Sequence, residues 1–181
     1  MASSELLLTS GATPATPASG KTKLFVNASK QLSQVDDAGL VTVLNGQNAV
    51  AQSTPADPTG TTSTAGVMMG LAGSITPVYT GRVLMLISGN VANSTLLDGI
   101  NAQIRYGTGS APANAAALTG TAVGSLNKTT SAVNAQKTGI ALQAIVTGLS
   151  LATAYWIDVS LAAVTGGTVT LTNVSLTAIE L

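Results

Sequence analysis

The chain has no cysteine and no histidine. Without cysteine there are no disulfides, no thiol nucleophile and none of the usual zinc or iron–sulfur sites. Without histidine the commonest general base is missing. Charge is scarce as well. Only 8% of the 181 residues are charged, against roughly 25% in ordinary globular chains. Seven basic residues balance seven acidic ones, so no basic stripe recommends nucleic acid and no acidic tail recommends a basic partner. Aromatic residues make up 3%, which leaves Val, Leu, Ile and small residues to fill a core. No apolar run approaches the length of a membrane-spanning helix. Leu6-Leu7-Leu8 is too short for a signal core and follows Glu5 without a basic stretch. The expectation is a protein with no membrane partner that stays in the cytoplasm where it is made.

What is present is a chain 45% apolar and rich in Thr, Ser, Asn and Gly. Neutrality with few charges is a poor recipe for a soluble monomer. Two remedies are expected together: uncharged polar groups keep part of the surface wet, and copies of the chain or a larger particle cover the rest.

Taken in order, residues 1–20 carry Gly11, Pro14 and Pro17 among Ser, Thr and Ala, and read as an extended arm that orders against a partner. Residues 21–44 read as a β-meander. Lys23-Leu24-Phe25-Val26 is a strand, Gln31-Leu32-Ser33-Gln34 a second and Leu40-Val41-Thr42-Val43-Leu44 a third, with turns at Asn27 and at Asp36-Asp37-Ala38-Gly39. So small a unit is expected to dock on something. Residues 45–65, with Pro55, Pro58, Gly60 and a Thr/Ser run, read as a linker. Residues 66–181 show short strands at the spacing of an antiparallel β-sandwich, and no helix. Within them Gly81 to Ser88 is apolar on both parities. One face should meet the core and the other a neighbouring subunit. Val83, Met85 and Ile87, with Trp156, are the expected subunit contact.

The last thirty or so residues read as a long hairpin. Ile157, Val159, Leu161 and Ala163 share one face, Gly166-Gly167 supplies the turn, and a strand from Thr168 to Ile179 returns. Its apolar phase slips at Asn173, which either flips the buried face or marks a bulge.

Chemistry-bearing groups are few. Gly20-Lys21-Thr22 lacks the upstream glycine and strand of a phosphate loop, and Gly107-Thr108-Gly109 lacks a following helix. Asp98, Asp158 and Glu180 are the acids of the C-terminal part besides linker Asp57. They are expected on wet faces or beside Arg82 or Arg105 rather than as a catalytic pair. Asp36 and Asp98 lack ligand-spaced loops for calcium. Tyr155-Trp156, with the 107–128 loop, offers a stacking platform for a host glycan, against the plainer role of an interface anchor. No cofactor, no metal site and no catalytic residue are expected.

Two segments carry a resemblance. Ala12-Thr13-Pro14-Ala15-Thr16-Pro17-Ala18-Ser19-Gly20-Lys21, with the Leu24-Phe25-Val26 strand and Asp36-Asp37-Ala38-Gly39, resembles a module near the start of many tailed-phage tail fibre and minor virion proteins. Ile75-Thr76-Pro77, Gly81-Arg82-Val83-Leu84, Ile104-Arg105-Tyr106-Gly107-Thr108-Gly109-Ser110-Ala111-Pro112 and Tyr155-Trp156-Ile157-Asp158-Val159 together resemble a β domain of phage structural proteins. The resemblance implies a virion component whose jelly-roll-type sandwich trimerises around a threefold axis. No long repeat or coiled-coil shaft of a complete fibre is present. The expected role is therefore a homotrimeric capsid decoration or cement protein on the virion surface. It would bind the major capsid protein or another virion protein through Leu24, Phe25 and Val26. The alternative is a short fibre or a receptor-binding tip.

Overall fold

Short alternating runs and frequent turn residues dictate strands, and strands are what form. The computed structural model describes residues 10–28, 30–44, 48–130 and 133–181, and no helix occurs among them. The chain divides into two units, Met1–Gln47 and Asn48–Leu181.

In the first unit, β1 (Lys23–Val26), β2 (Leu32–Val35) and β3 (Val41–Val43) form the expected meander, in the order β1-β2-β3. Its turns use side-chain oxygens in place of backbone. The Asn27 Oδ1 accepts the Gln31 N–H at 3.0 Å, and the Asp36 Oδ1 accepts those of Ala38 and Leu40 at 3.0 and 2.8 Å. The described part of the arm is not free. Ser10 bridges Val26 in parallel, the Gly20 N–H donates to Asp37, and the Lys23 ammonium donates to the Ala15 carbonyl. From residue 10 onward the arm is therefore part of the unit, because local polar groups satisfy it without a partner.

The second unit contains β4 (Val50–Ser53), β5 (Val67–Met68), β6 (Gly73–Ile75), β7 (Val83–Asn93), β8 (Gly99–Thr108), β9 (Thr121–Thr130), β10 (Thr138–Val146), β11 (Tyr155–Ala163) and β12 (Val169–Glu180). One sheet runs β10-β7-β12-β4. The other runs β5-β11-β8-β9, with β6 also on β11. All pairings between these strands are antiparallel. If β5 and β6 are taken as one position, successive strands trade sheets at every step but β8 to β9, the order of a double Greek key, which makes the unit a jelly-roll sandwich. The core lies between the sheets and is built of Val83, Met85, Ile87, Ile104, Ile157, Leu161, Leu171 and their neighbours.

Three expectations give way. The linker is much shorter than residues 45–65, because β4 pairs with β12 and Thr61 bridges Val169. Its Pro and Thr content hid a strand of four residues. The loop at 107–128 ends early, since β9 begins at Thr121 and pairs with β8. The closing hairpin does not form: β11 and β12 belong to different sheets, and Gly166-Gly167 is a crossover between them. Alternation placed both strands correctly but cannot tell a hairpin from a sheet-to-sheet corner. The slip at Asn173 is a bulge. The register shifts between Thr172 and Ser175, Asn173 has φ 53°, and its N–H donates to the Asp57 carboxylate at 2.7 Å.

Candidate functional site

The carboxylates that could carry chemistry are committed to backbone. Asp158 lies inside the sandwich unit and accepts the N–H groups of Gly70 at 2.9 Å, Leu71 at 3.0 Å and Val159 at 2.7 Å. Glu180 accepts from Ala49, Val78, Tyr79, Thr80 and Gly81, gathering a whole turn onto one side chain. Asp98 accepts from Gly99, Thr165 and Gly166, and from the Asn93 amide, so it pins the β11–β12 crossover to the start of β8. None sits on a wet face beside an arginine, as the sequence reading expected. Arg105 instead donates to the Thr119 and Gly120 carbonyls.

Their ionisation follows from these contacts. Burial pushes the Asp98 and Glu180 carboxyls up, but the converging N–H donors outweigh it and hold both at about 2. For Asp158 burial wins, and its carboxyl is raised above the ordinary value despite the three N–H groups. Each acid serves a different loop, so the three make fasteners rather than an acid–base pair. Among the described residues no cluster of three or more His, Cys, Asp or Glu stands ready for a metal.

Tyr155 and Trp156 are not a platform. Trp156 is 5% exposed, and its indole N–H donates to the Thr108 carbonyl at 3.1 Å. Its six-membered ring lies against Gly107 and Gly120, where any Cβ would collide with it. Tyr155 is buried too, with its hydroxyl accepting the Ser150 N–H. Trp156 therefore anchors the chain's own 108–120 loop, so neither a sugar nor a neighbouring subunit reaches it. Gly20-Lys21-Thr22 forms a turn, with the Lys21 N–H donating to the Ala18 carbonyl.

Val83, Met85 and Ile87 are also corrected as a subunit contact. They point into the sandwich core with 0–1% exposure. The opposite parity of β7 faces outward. Register aligns Ile145, Leu84, Ile179 and Val50 in one row across β10, β7, β12 and β4. Leu84 and Ile179 are half-buried, and Ile145 and Val50 are 53% and 67% exposed. The next row is Gln143, Leu86, Thr177 and Gln52, and beyond it lie Ala141, Ser88 and Ser175. None of these residues carries a charge. The signal was present in the sequence as an aliphatic residue at the outward parity of each of these four strands.

On the meander, alternation separates the attachment residues. Phe25 lies with Ser33 and Val35 on the covered side and is buried. Leu24 is 54% exposed and Val26 half-buried on the other side, which Leu44 shares at 45% exposure. The expected trio therefore splits: Leu24 and Val26 remain available, whereas Phe25 serves the unit's own interior.

No protein-family model and no curated protein matches the chain. Among solved structures the chain is similar to the Eiger TNF of S. frugiperda, at 9% identity and TM-score 0.42, over 75% of this chain and 94% of that one. It is similar to a chain of the T13 IBDV viral particle at 12% identity and TM-score 0.47, and to one from infectious bursal disease virus strain Gx at 15% and 0.44. Each of those covers 78% of this chain, which spans about a third of theirs, 33% and 35%. At such identities the likeness concerns the fold alone.

Proposed function

We propose that the protein is a virion structural component, a homotrimeric decoration or cement protein of a tailed-phage capsid. Its first unit docks on the shell through Leu24, Val26 and Leu44, and its jelly roll projects from the surface. The observation that carries the docking claim is the uncovered aliphatic side of a meander too small to leave such a face bare without a partner. The trimer and the phage assignment rest on the sequence resemblance. The role requires no bond-making, in keeping with three carboxylates occupied by backbone donors. Binding at three equivalent points on a repeating shell multiplies a weak contact through effective concentration.

The test is co-sedimentation of the full-length chain with purified capsids lacking it. The wild-type chain binds, and Leu24→Asp with Leu44→Asp loses binding while keeping its fold. Undiminished binding by the double variant removes the docking claim.

A further inference from the structure

The two sheets of the jelly roll are covered unequally, and the bare one defines a surface. Outside the core, the outward side of β11 is roofed by the chain itself. Trp156 lies under Gly107 and Gly120, Asp158 holds the N–H groups of Gly70 and Leu71, and Leu118 approaches Gly66 and Ala162. Nothing from the described part of this unit performs that service for β7. Its outer side carries the Ile145–Leu84–Ile179–Val50 row, flanked by a shallow groove of about 430 Å³ lined by Leu86, Ser88, Ala141, Gln143, Ser175 and Thr177.

We infer that this face is where sister copies of the chain meet, the same face of each copy turned toward a common axis. Three observations select a copy of itself over other partners. The face is uncharged throughout its rows, and the cations Arg82 and Lys137 stand only at its two ends, just before β7 and β10. A charge-free centre with a charged rim is the anatomy of a protein interface. A face without charge complements an equally neutral one, and a sister face is neutral by construction. The size is at the lower end for association between proteins. Three strands with three outward residues each and β4 with two, spaced ~4.8 Å across and ~6.8 Å along the strands, span roughly 360 Å² of flat sheet per copy. Side-chain relief enlarges that figure, so two copies approach the ~1,000 Å² at which specific association begins. Association should therefore be real but weak, and sensitive to dilution.

The inference rests on the proposed reading of an assembled surface protein and supplies its contact. The test is the solution mass of the full-length chain by light scattering across a dilution series. Variants Leu84→Lys, Ile179→Lys and Val50→Lys are compared with Val164→Lys, which is exposed elsewhere. Wild type and Val164→Lys are expected at a multiple of 17.8 kDa, and the face variants at a single copy with unchanged melting. Should a buried-edge lysine disturb folding, Val50→Lys decides, because its side chain is already mostly in solvent. Face variants that keep the wild-type mass overturn the inference. So does a wild type of one copy at every concentration. If that single-copy chain still binds capsids, the docking claim survives and only the contact between copies fails. If it binds nothing, both fail.

Discussion

Both sheets of the jelly roll bury one side in the same core, but their outer sides are treated differently. Around β11 the chain returns twice, through residues 63–71 and 108–120, and closes over Trp156 and Asp158. Strand β11 is buried on both faces, with only Ser160 partly exposed. Over the first half of β7 no described part of this unit returns, and the strand alternates there between buried and partly exposed. The outer sides of the two central strands thus differ: that of β11 is covered by the unit itself, and that of the first half of β7 is left open by the described part of the unit. Local loop content separates them: β11 is flanked in space by glycines that admit a roof, whereas β7 borders strands that carry aliphatics outward.

The contrast can be broken most severely on the roofed side. Trp156→Ala removes the anchor of the 108–120 loop and should cost about 3–5 kcal/mol in denaturant unfolding. A loss near zero would mean that the roof does not depend on the indole. Glu180→Gln should cost about 2–3 kcal/mol at neutral pH, because several buried N–H groups lose a charged acceptor. The folded carboxyl sits at about 2, below the ordinary 4.5. Its contribution is therefore complete above that ordinary value and is lost as pH falls toward 2, where variant and wild type converge. Asp98 adds a loss of the same sign over the same acid range.

Asp158→Asn sharpens the comparison from the opposite direction. Its folded carboxyl is raised, so the stability from its protonated form is present below the ordinary 3.8 and is lost as pH rises through the raised value. The gap between wild type and Asp158→Asn should be wider in acid than at neutral pH, the reverse of Glu180→Gln. Parallel pH profiles for the two would show that burial does not dominate at Asp158. The smallest effect belongs to the bare side. Ile145→Thr should change melting stability by under about 0.5 kcal/mol, since its side chain is half in solvent, yet weaken association measurably.

Much of this was legible in the chain. Alternation located the three meander strands and β8, β10, β11 and β12, and the phase slip at Asn173 marked the place of the bulge while fitting a flipped face equally well. Parity alone could not say which side of β7 faces the core, because Val83, Met85 and Ile87 are as apolar as Leu84 and Leu86. That choice is fixed by what packs across the sandwich. The acids were misplaced for a related reason. Carboxylates are ordinarily wet, and only the fold reveals that Glu180 meets the turn at 78–81 about a hundred residues earlier. Nothing local in the sequence marks such a fastener. Strand β9 was missed because its small polar residues show little burial on either side.

The most direct test of whether sister copies cover the bare sheet uses the absence of native cysteine. Leu84→Cys, Met85→Cys and Val164→Cys each place one thiol in the full-length chain, and maleimide labelling rates report its access. Leu84→Cys should label slowly in concentrated solution and quickly after dilution. Met85→Cys should stay slow and Val164→Cys fast throughout. Rapid labelling of Leu84→Cys at every concentration would contradict coverage by sister copies.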